Sequence, residues 1–361
     1  MALHSTIAAV SRRFQAGQRR MLLKDIAEMA SVSLSTVSRA LHNDERISEA
    51  TRLRIQAIAE REHFVLSKSA SALASRKSFR ISALFVDRFN TWFTSTSFEG
   101  LYTTIAGSGY DLFPIVLHTP EQMDSYFRSI SENKNTDGII IASILLSPEQ
   151  SSQLADANIP IVGLDSQDTE GYDAAVLLDN TASMRDAAEH IRDLGHPQVG
   201  LVEFPQPGSF RRYSFTERIP TFELALGAAG YDPRNVQRFR SENNRADAQG
   251  VASLCAQILS AQTRPTVLFV ETDDFAITLI AALQQRGIQV PRDISVIGFD
   301  DNAASELVGL ATFHQDALDD ARLAASKLLD ILNGRQLAEA YSYSRTTFIA
   351  RSSLGPAFPD V

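Results

Sequence analysis

Four serines, a threonine and an arginine fall within nine residues, Ser31 to Arg39, in "SVSLSTVSR". Short hydroxyls and a guanidinium are the groups that bond phosphates and base edges, and arginine also reaches a guanine edge. A helix beginning after Ser33, with Ser33 as its cap, turns Val37, Ala40 and Leu41 inward and leaves Leu34, Ser35, Ser38 and Arg39 outward. Further along, the carboxylate pairs Asp273/Asp274 and Asp300/Asp301 could do acid/base work or accept from the hydroxyls of a ligand. No catalytic or metal-binding constellation accompanies them. The "GSG" at Gly107 to Gly109 is too short for a dinucleotide loop, neither GxxxxGK[ST] nor HExxH occurs, and the seven histidines lack ligand spacing. The expectation is a binding protein without metal or cofactor, not an enzyme.

The elements that must position the first set are short helices. Leu23, Ile26, Ala27 and Ala30 recur at helical spacing, with Asp25 in the first turn, where a carboxylate favours the positive helix end. The second helix runs from Leu34 to about His42. A third follows Ser48 as its cap in "ISEATRLRIQAIAEREH", with Leu53, Ile55, Ile58 and Ala59 as its apolar stripe. Three helices with a tight turn between the first two make a helix-turn-helix, whose second helix enters the major groove.

Charge supports the same division. The 361 residues carry a net charge of -9, yet residues 1 to 80 hold 14 basic against 7 acidic residues and the remainder 20 against 36. A basic head on an acidic body points to a nucleic-acid-binding module joined to something that repels nucleic acid. With 44% hydrophobic and 21% charged residues the chain has the composition of a globular protein of two or three units. Cys255, alone in "VASLCAQIL", reads as a small buried residue of a reducing compartment. Neither a run of 18 apolar residues nor a signal-peptide core is present, so a cytoplasmic location is expected.

The head resembles the lactose-repressor (LacI/GalR) family of bacterial transcription regulators. The matching residues are Leu23, Asp25, Ile26, Ala27, Ala30, Val32, Ser33, Thr36, Val37, Ser38, Arg39, Leu41, Ile47, Ser48, Thr51 and Arg52, without a gap. The resemblance implies DNA contacts from Ser33, Leu34, Ser35, Thr36, Ser38 and Arg39, with Leu34, Ser35 and Arg39 reading bases. Ser31 stands where the family has a turn glycine, which costs strain if its φ is positive. In "SKSASALASRKS", Ala70, Leu73 and Ala74 match the family's hinge helix, and Leu73 would be its minor-groove wedge. Ser71 replaces the family's arginine there, and "FVLS" replaces its "YxPN" lead-in. Met21 lies where the family starts, so residues 1–20 are either an over-long reading of the gene or, through Arg12, Arg13, Arg19 and Arg20, a phosphate-binding arm.

The body alternates β-branched runs with amphipathic helices, which argues a parallel α/β sheet. Candidate strands are "ISALFVD", "DLFPIVLH", "DGIIIAS", "IPIVGLD", "QVGLVEF", "PTVLFVET" and "ISVIGFDD"; candidate helices include "EQMDSYFRSISEN", "MRDAAEHIRDLG", "VASLCAQILSA" and "DFAITLIAALQQRG". About nine βα units make two doubly wound lobes, with ligands bound where strands end. Residues 81 to 355 also resemble the family's effector domain, which looks like a periplasmic sugar-binding protein, through "DN" at Asp179, "LGH" at Leu194, "GFDD" at Gly298, Gln315 and "ARSS" at Ala350. That resemblance places effector contacts at Phe93, Arg212, Ser214, Arg218, Arg245, Asp273, Asp300 and Gln315. Three positions depart from its pattern. Thr221 replaces a glycine, Asp273 stands for an asparagine, and Arg245 lies where sugar-binding members place an aromatic.

The expected organisation is therefore a helix-turn-helix head at 21–66, a linker and hinge helix at 67–79, and an effector and dimerisation domain at 80–361. Within that domain, lobe 1 takes about 80–178 and 316–335, and lobe 2 about 179–315 and 341–361. Its expected partners are a pseudo-palindromic double-stranded operator, a small sugar-like or nucleoside-like effector and a second copy of the chain, with no membrane. No heptad helix follows Pro356, so a dimer is expected. The competing reading is a solute-binding protein or sugar-processing enzyme with an incidental basic head.

Overall fold

The computed structural model describes residues 21–41, 44, 46–62, 64, 77–86, 88–130, 135–166, 169–205, 213–242 and 247–358, the side chains of 213–216 and 248 excepted. The chain divides into two compact units, Met1–Ser78 and Phe79–Val361. Among the described residues no helix is long and apolar enough to cross a membrane.

The head consists of α1 (Leu23–Ala30), α2 (Leu34–Leu41) and α3 (Glu49–Arg61). Its small core joins Ile26, Ala27 and Ala30 of α1, Val37 and Ala40 of α2 and Ile55 of α3. Asp25 accepts a hydrogen bond from the Leu22 amide at 2.8 Å, securing one of the orphan donors at the start of α1. The guanidinium of Arg54 reaches back to the Ala30 carbonyl at 3.0 Å and so ties α3 to the end of α1. Ser48 precedes α3, but its hydroxyl donates to the Thr51 hydroxyl at 2.9 Å instead of capping a backbone amide. Ser31 adopts φ 53° and ψ 45° in the turn between α1 and α2, the left-handed conformation that glycine takes at no cost.

The body opens with β1 (Arg80–Phe85), α4 (Trp92–Ile105), β2 (Asp111–Val116), α5 (Pro120–Ile130), β3 (Gly138–Ala142), α6 (Pro148–Ala157), β4 (Ile161–Ser166) and β5 (Ala174–Asp179). It continues into lobe 2 with α7 (Thr181–Asp193), β6 (Val199–Glu203), α8 (Tyr213–Ala228), β7 (Val236–Arg240), α9 (Ala248–Leu259), β8 (Val267–Val270), α10 (Asp273–Gln284), β9 (Ser295–Ile297), α11 (Ala303–Val308) and β10 (Thr312–His314). It then crosses back with α12 (Ala317–Leu332) and β11 (Tyr341–Arg345), and returns for β12 (Thr347–Ile349).

Lobe 1 is a six-stranded parallel sheet in the order β11-β5-β4-β3-β1-β2, and lobe 2 a four-stranded parallel sheet in the order β7-β6-β8-β9. A short antiparallel pair, β10 with β12, completes lobe 2. Both sheets have cores on each face, which is why central strands such as "GIIIA" are buried at every residue.

Two expectations need correction. Residues 341–345 belong to lobe 1, because β11 pairs with β5 from Tyr341↔Ala175 to Arg345↔Asp179. As an edge strand it needs only one partner, so "YSYSR" carries no apolar run to announce it. The candidate strands also omit β5, β7, β10, β11 and β12. β7 is another edge strand, with a charge-rich "VQRFR", while β5 follows β4 with no helix in the described part of the link, which breaks the alternation used to find it.

Candidate functional site

On the head, α2 presents the face its spacing predicted. Val37 and Ala40 are fully buried, while Leu34, Ser35 and Arg39 are exposed and Thr36 and Ser38 half-buried. Ser33 caps the helix by accepting from the Thr36 amide at 3.1 Å. Its Oγ also lies 2.8 Å from the hydroxyls of Ser35 and of Thr36. Ser33 therefore spends its hydroxyl on organising the start of the helix, and Ser35 and Arg39, four residues apart, stand one above the other on the open side. Leu73, the expected wedge, lies outside the described residues.

In the body the sites converge at the carboxyl ends of the strands. Four non-glycine residues there have left-handed φ: Ser143 after β3 (53°), Asp165 in β4 (50°), and Asp300 and Asp301 after β9 (128° and 59°). Such strain persists only where the surroundings over-determine it, and it collects at binding sites. At Asp165 the pairing of β4 with β5 shifts register between Leu164 and Ser166, a bulge that re-aims the side chain.

Arg218 on α8 is the central cation. Only 3% exposed, its Nη1 donates to the Glu271 carbonyl at 2.6 Å, its Nη2 lies 3.9 Å from Asp300 Oδ1, and its Cζ sits 3.6 Å above the Phe299 ring. Asp300 in turn accepts from Gln315 Nε2 at 2.7 Å. Across from them on lobe 1 stands Asp165, 6% exposed, whose charge couples to Arg218 and, with opposite sign, to Asp320 of α12. Burial pushes the Asp165 carboxyl up to about 7 and that of Asp320 up to about 6, while the nearby guanidinium pulls Asp165 back down. Asp300 is raised well above the usual carboxylate range, again by burial first, with Arg218 opposing it and Asp273 and Asp274 adding to it. Asp165 Oδ1 and Arg218 Nε are buried without a hydrogen-bond partner. A buried acceptor of this kind costs about 1–3 kcal/mol unless something donates to it.

Of the expected effector contacts, Arg218, Asp300 and Gln315 form this one cluster. Asp273 does not offer a free oxygen to a ligand. It is fully buried, with Oδ1 accepting from Thr312 at 2.6 Å and Oδ2 from Ser305 at 2.6 Å and from the Asn302 amide at 3.2 Å. Gly298 makes room for it, since a Cβ there would lie 2.1 Å from Asp273 Oδ1. Asp273 thus braces the loop that carries Asp300. Phe93, in the first turn of α4, is half-buried against the lobe 1 core. Arg212 and Arg245 lie outside the described residues, and Ser214 is described only as a member of α8. Asp165, Ser143, Phe299 and Asp320 were missed. The available signal was the aspartate ending "IPIVGLD", a strand end in a fold that binds ligands at strand ends.

Comparison with known proteins covers both units. Residues 22–65 match the family of bacterial regulatory proteins, lacI family, and residues 188–354 match the periplasmic binding protein-like domain. The chain is 27% identical over 343 residues to the probable HTH-type transcriptional repressor ExuR of Bacillus subtilis (strain 168), spanning 92% of this chain and 98% of that one. It is likewise 27% identical over 338 residues to the HTH-type transcriptional repressor CytR of Escherichia coli (strain K12), spanning 92% and 95%. Among solved structures, the lac repressor dimer bound to operator and the anti-inducer ONPF superposes with a TM-score of 0.77 at 22% identity, over 93% of this chain and 99% of that one.

Proposed function

Because the chain belongs to the lacI family of bacterial regulatory proteins, we propose that it is a cytoplasmic, dimeric repressor that reads a pseudo-palindromic operator and answers to a small metabolite held between its lobes. Its relatives are transcriptional repressors and not enzymes. On the head, Leu34, Ser35 and Arg39 meet base edges and Thr36 and Ser38 meet the backbone, while Ser33 holds the helix start in place. Leu73 is assigned to the minor groove on sequence alone.

The observation that carries the effector reading is that two of the buried side-chain atoms left without a hydrogen-bond partner are an acceptor on Asp165 of lobe 1 and a donor on Arg218 of lobe 2, whose charges couple. A sugar-like or nucleoside-like ligand supplies hydroxyls that donate to Asp165 and Asp300 and accept from Arg218. The mechanism is linkage. If the ligand prefers a lobe arrangement other than the one that suits the operator, it lowers operator affinity, and the operator lowers ligand affinity by the same factor.

The test is fluorescence anisotropy with DNA from upstream of the protein's own gene, at fixed salt, after a thermal-shift screen of sugars, sugar phosphates and nucleosides. Arg39→Ala should weaken specific binding by roughly 1–3 kcal/mol, about five- to 150-fold. Asp300→Asn should keep operator binding and lose the response to the ligand found in the screen. Absence of a specific complex for the unaltered protein, with and without ligands, would remove the repressor reading.

A further inference from the structure

Asp300 and Asp301 are neighbours whose side chains serve different partners. Asp300 faces Arg218 and Gln315. Asp301 Oδ1 accepts from Arg351 Nη2 at 2.6 Å, and its Oδ2 lies 3.0 Å from His314 Nδ1. The other ring nitrogen of His314 lies 3.2 Å from Asp316 Oδ1. Carboxylates only accept, so the imidazole ring lies between two acceptors, one at each nitrogen. Asp316 occupies the cap position of α12 yet makes no capping bond, so the contact of its carboxylate is with the histidine and not the helix.

Position gives this arrangement its meaning. His314 is the last residue of β10 in lobe 2, Asp316 precedes the helix that packs on the lobe 1 sheet, and only Gln315 separates them. One of the chain's crossings between lobes is therefore bridged by a side chain at each end. We propose that His314 is a hydrogen-bonded clip across this crossing, fastened on one side to Asp301 and on the other to Asp316, and that the Asp300–Asp301 step ties the clip to whatever fills the cleft. The second half rests on the cleft being the effector site; the clip itself does not. A change of lobe angle turns the backbone at Gln315 and Asp316 and draws Asp316 off the ring.

The full chain, with Cys255→Ala and spin labels on Asp156→Cys of α6 and Glu189→Cys of α7, reports the distance between lobes by pulsed electron resonance. Both label positions are exposed. His314→Gln and Asp316→Asn should each shift or broaden that distribution, and the double variant should add nothing. His314→Arg, which can donate to both carboxylates, should restore it. Operator affinity should move about three- to tenfold, in one direction for both single variants. Asp316 is exposed, so its variant keeps the test open if the histidine variant folds poorly. Distributions identical to the parent overturn the clip, whatever operator affinity does. Changed distributions with unchanged operator affinity keep the clip and overturn the lobe-to-DNA linkage of the proposed function.

Discussion

The reader helix and the interlobe cleft place their polar groups in opposite ways. On α2 the polar side chains are consecutive in sequence and several are exposed, with Ser35 and Arg39 four residues apart over a core of only three short helices. In the cleft they come from β4, α8, the loop after β9 and the start of α12, and Asp165, Arg218, Asp300 and Gln315 are all at least nine-tenths buried. Solvated groups wait for a partner at little cost. Buried ones strain against their surroundings until a partner arrives. The two sites should therefore respond differently to loss of a side chain: the head loses affinity, the cleft changes the stability of the whole body.

Arg218→Met gives the largest expected effect. It leaves Asp165 and Asp300 without the cation that, among the described residues, both couple to, and breaking a buried charge set costs about 3–5 kcal/mol. Removing the guanidinium raises both carboxyls further, so the loss should be greatest near pH 8 and smaller near pH 5.5, below the value of about 7 to which Asp165 is raised. Urea unfolding followed through Trp92, the single tryptophan, measures it. An equal loss at both pH values would mean that the arginine acts through its packing on Phe299 and its bond to the Glu271 carbonyl and not through the carboxylates.

That contrast also explains what could be read in advance. Helical spacing gave α1, α2 and α3 and the outward face of α2, because each depends on residues within four positions of one another. Ser31 could be singled out as the turn residue for the same reason. The cleft depends on which strand ends become neighbours, and that was only partly visible. Arg218, Asp300 and Gln315 were placed through resemblance to a family, whereas Asp165 needed the β4–β5 pairing, which the unread strand β5 had hidden. Asp273 shows the opposite failure. The same resemblance places it as a ligand contact, and only the positions of Ser305 and Thr312, more than thirty residues away, reveal that its oxygens are occupied.

Asp165→Asn sharpens the comparison with a smaller effect of opposite sign. A carboxyl whose pKa rises on folding, here from 3.8 to about 7, contributes stability below its ordinary value and loses it as pH climbs toward 7. Asp300 works in the same sense. His196 works against them on the acid side. Burial lowers it to about 4 against the opposing pull of its bond to the Gly355 carbonyl, so its contribution is present above 6.5 and fades as pH falls toward 4. The unliganded body should be most stable in mildly acidic solution. Asp165→Asn should recover about 2 kcal/mol near pH 8 and little near pH 5. Melting curves across that range decide it, and parallel pH profiles for the two proteins would show that Asp165 is not held in the state its burial implies.

The smallest effect falls on the head, where, among the described residues, left-handed strain falls on one exposed residue. Ser31 sits at φ 53°, and a left-handed L-residue costs about 1–2 kcal/mol. Glycine removes that cost but adds chain entropy to the unfolded state, which returns roughly 0.5–1 kcal/mol. The difference leaves Ser31→Gly stabilising the head by ~0.5–1 kcal/mol. Hydrogen exchange at the amides of Ile26, Val37 and Ile55, one core residue from each helix, reads this in the intact protein. Slower exchange at all three, with the body unchanged, separates a head that tolerates one strained surface turn from a cleft whose strained residues are fastened to one another. Unchanged or faster exchange would mean that the turn between α1 and α2 holds Ser31 at no cost, and that Ser33 and its capping bond, not residue 31, set the entry of the reader helix.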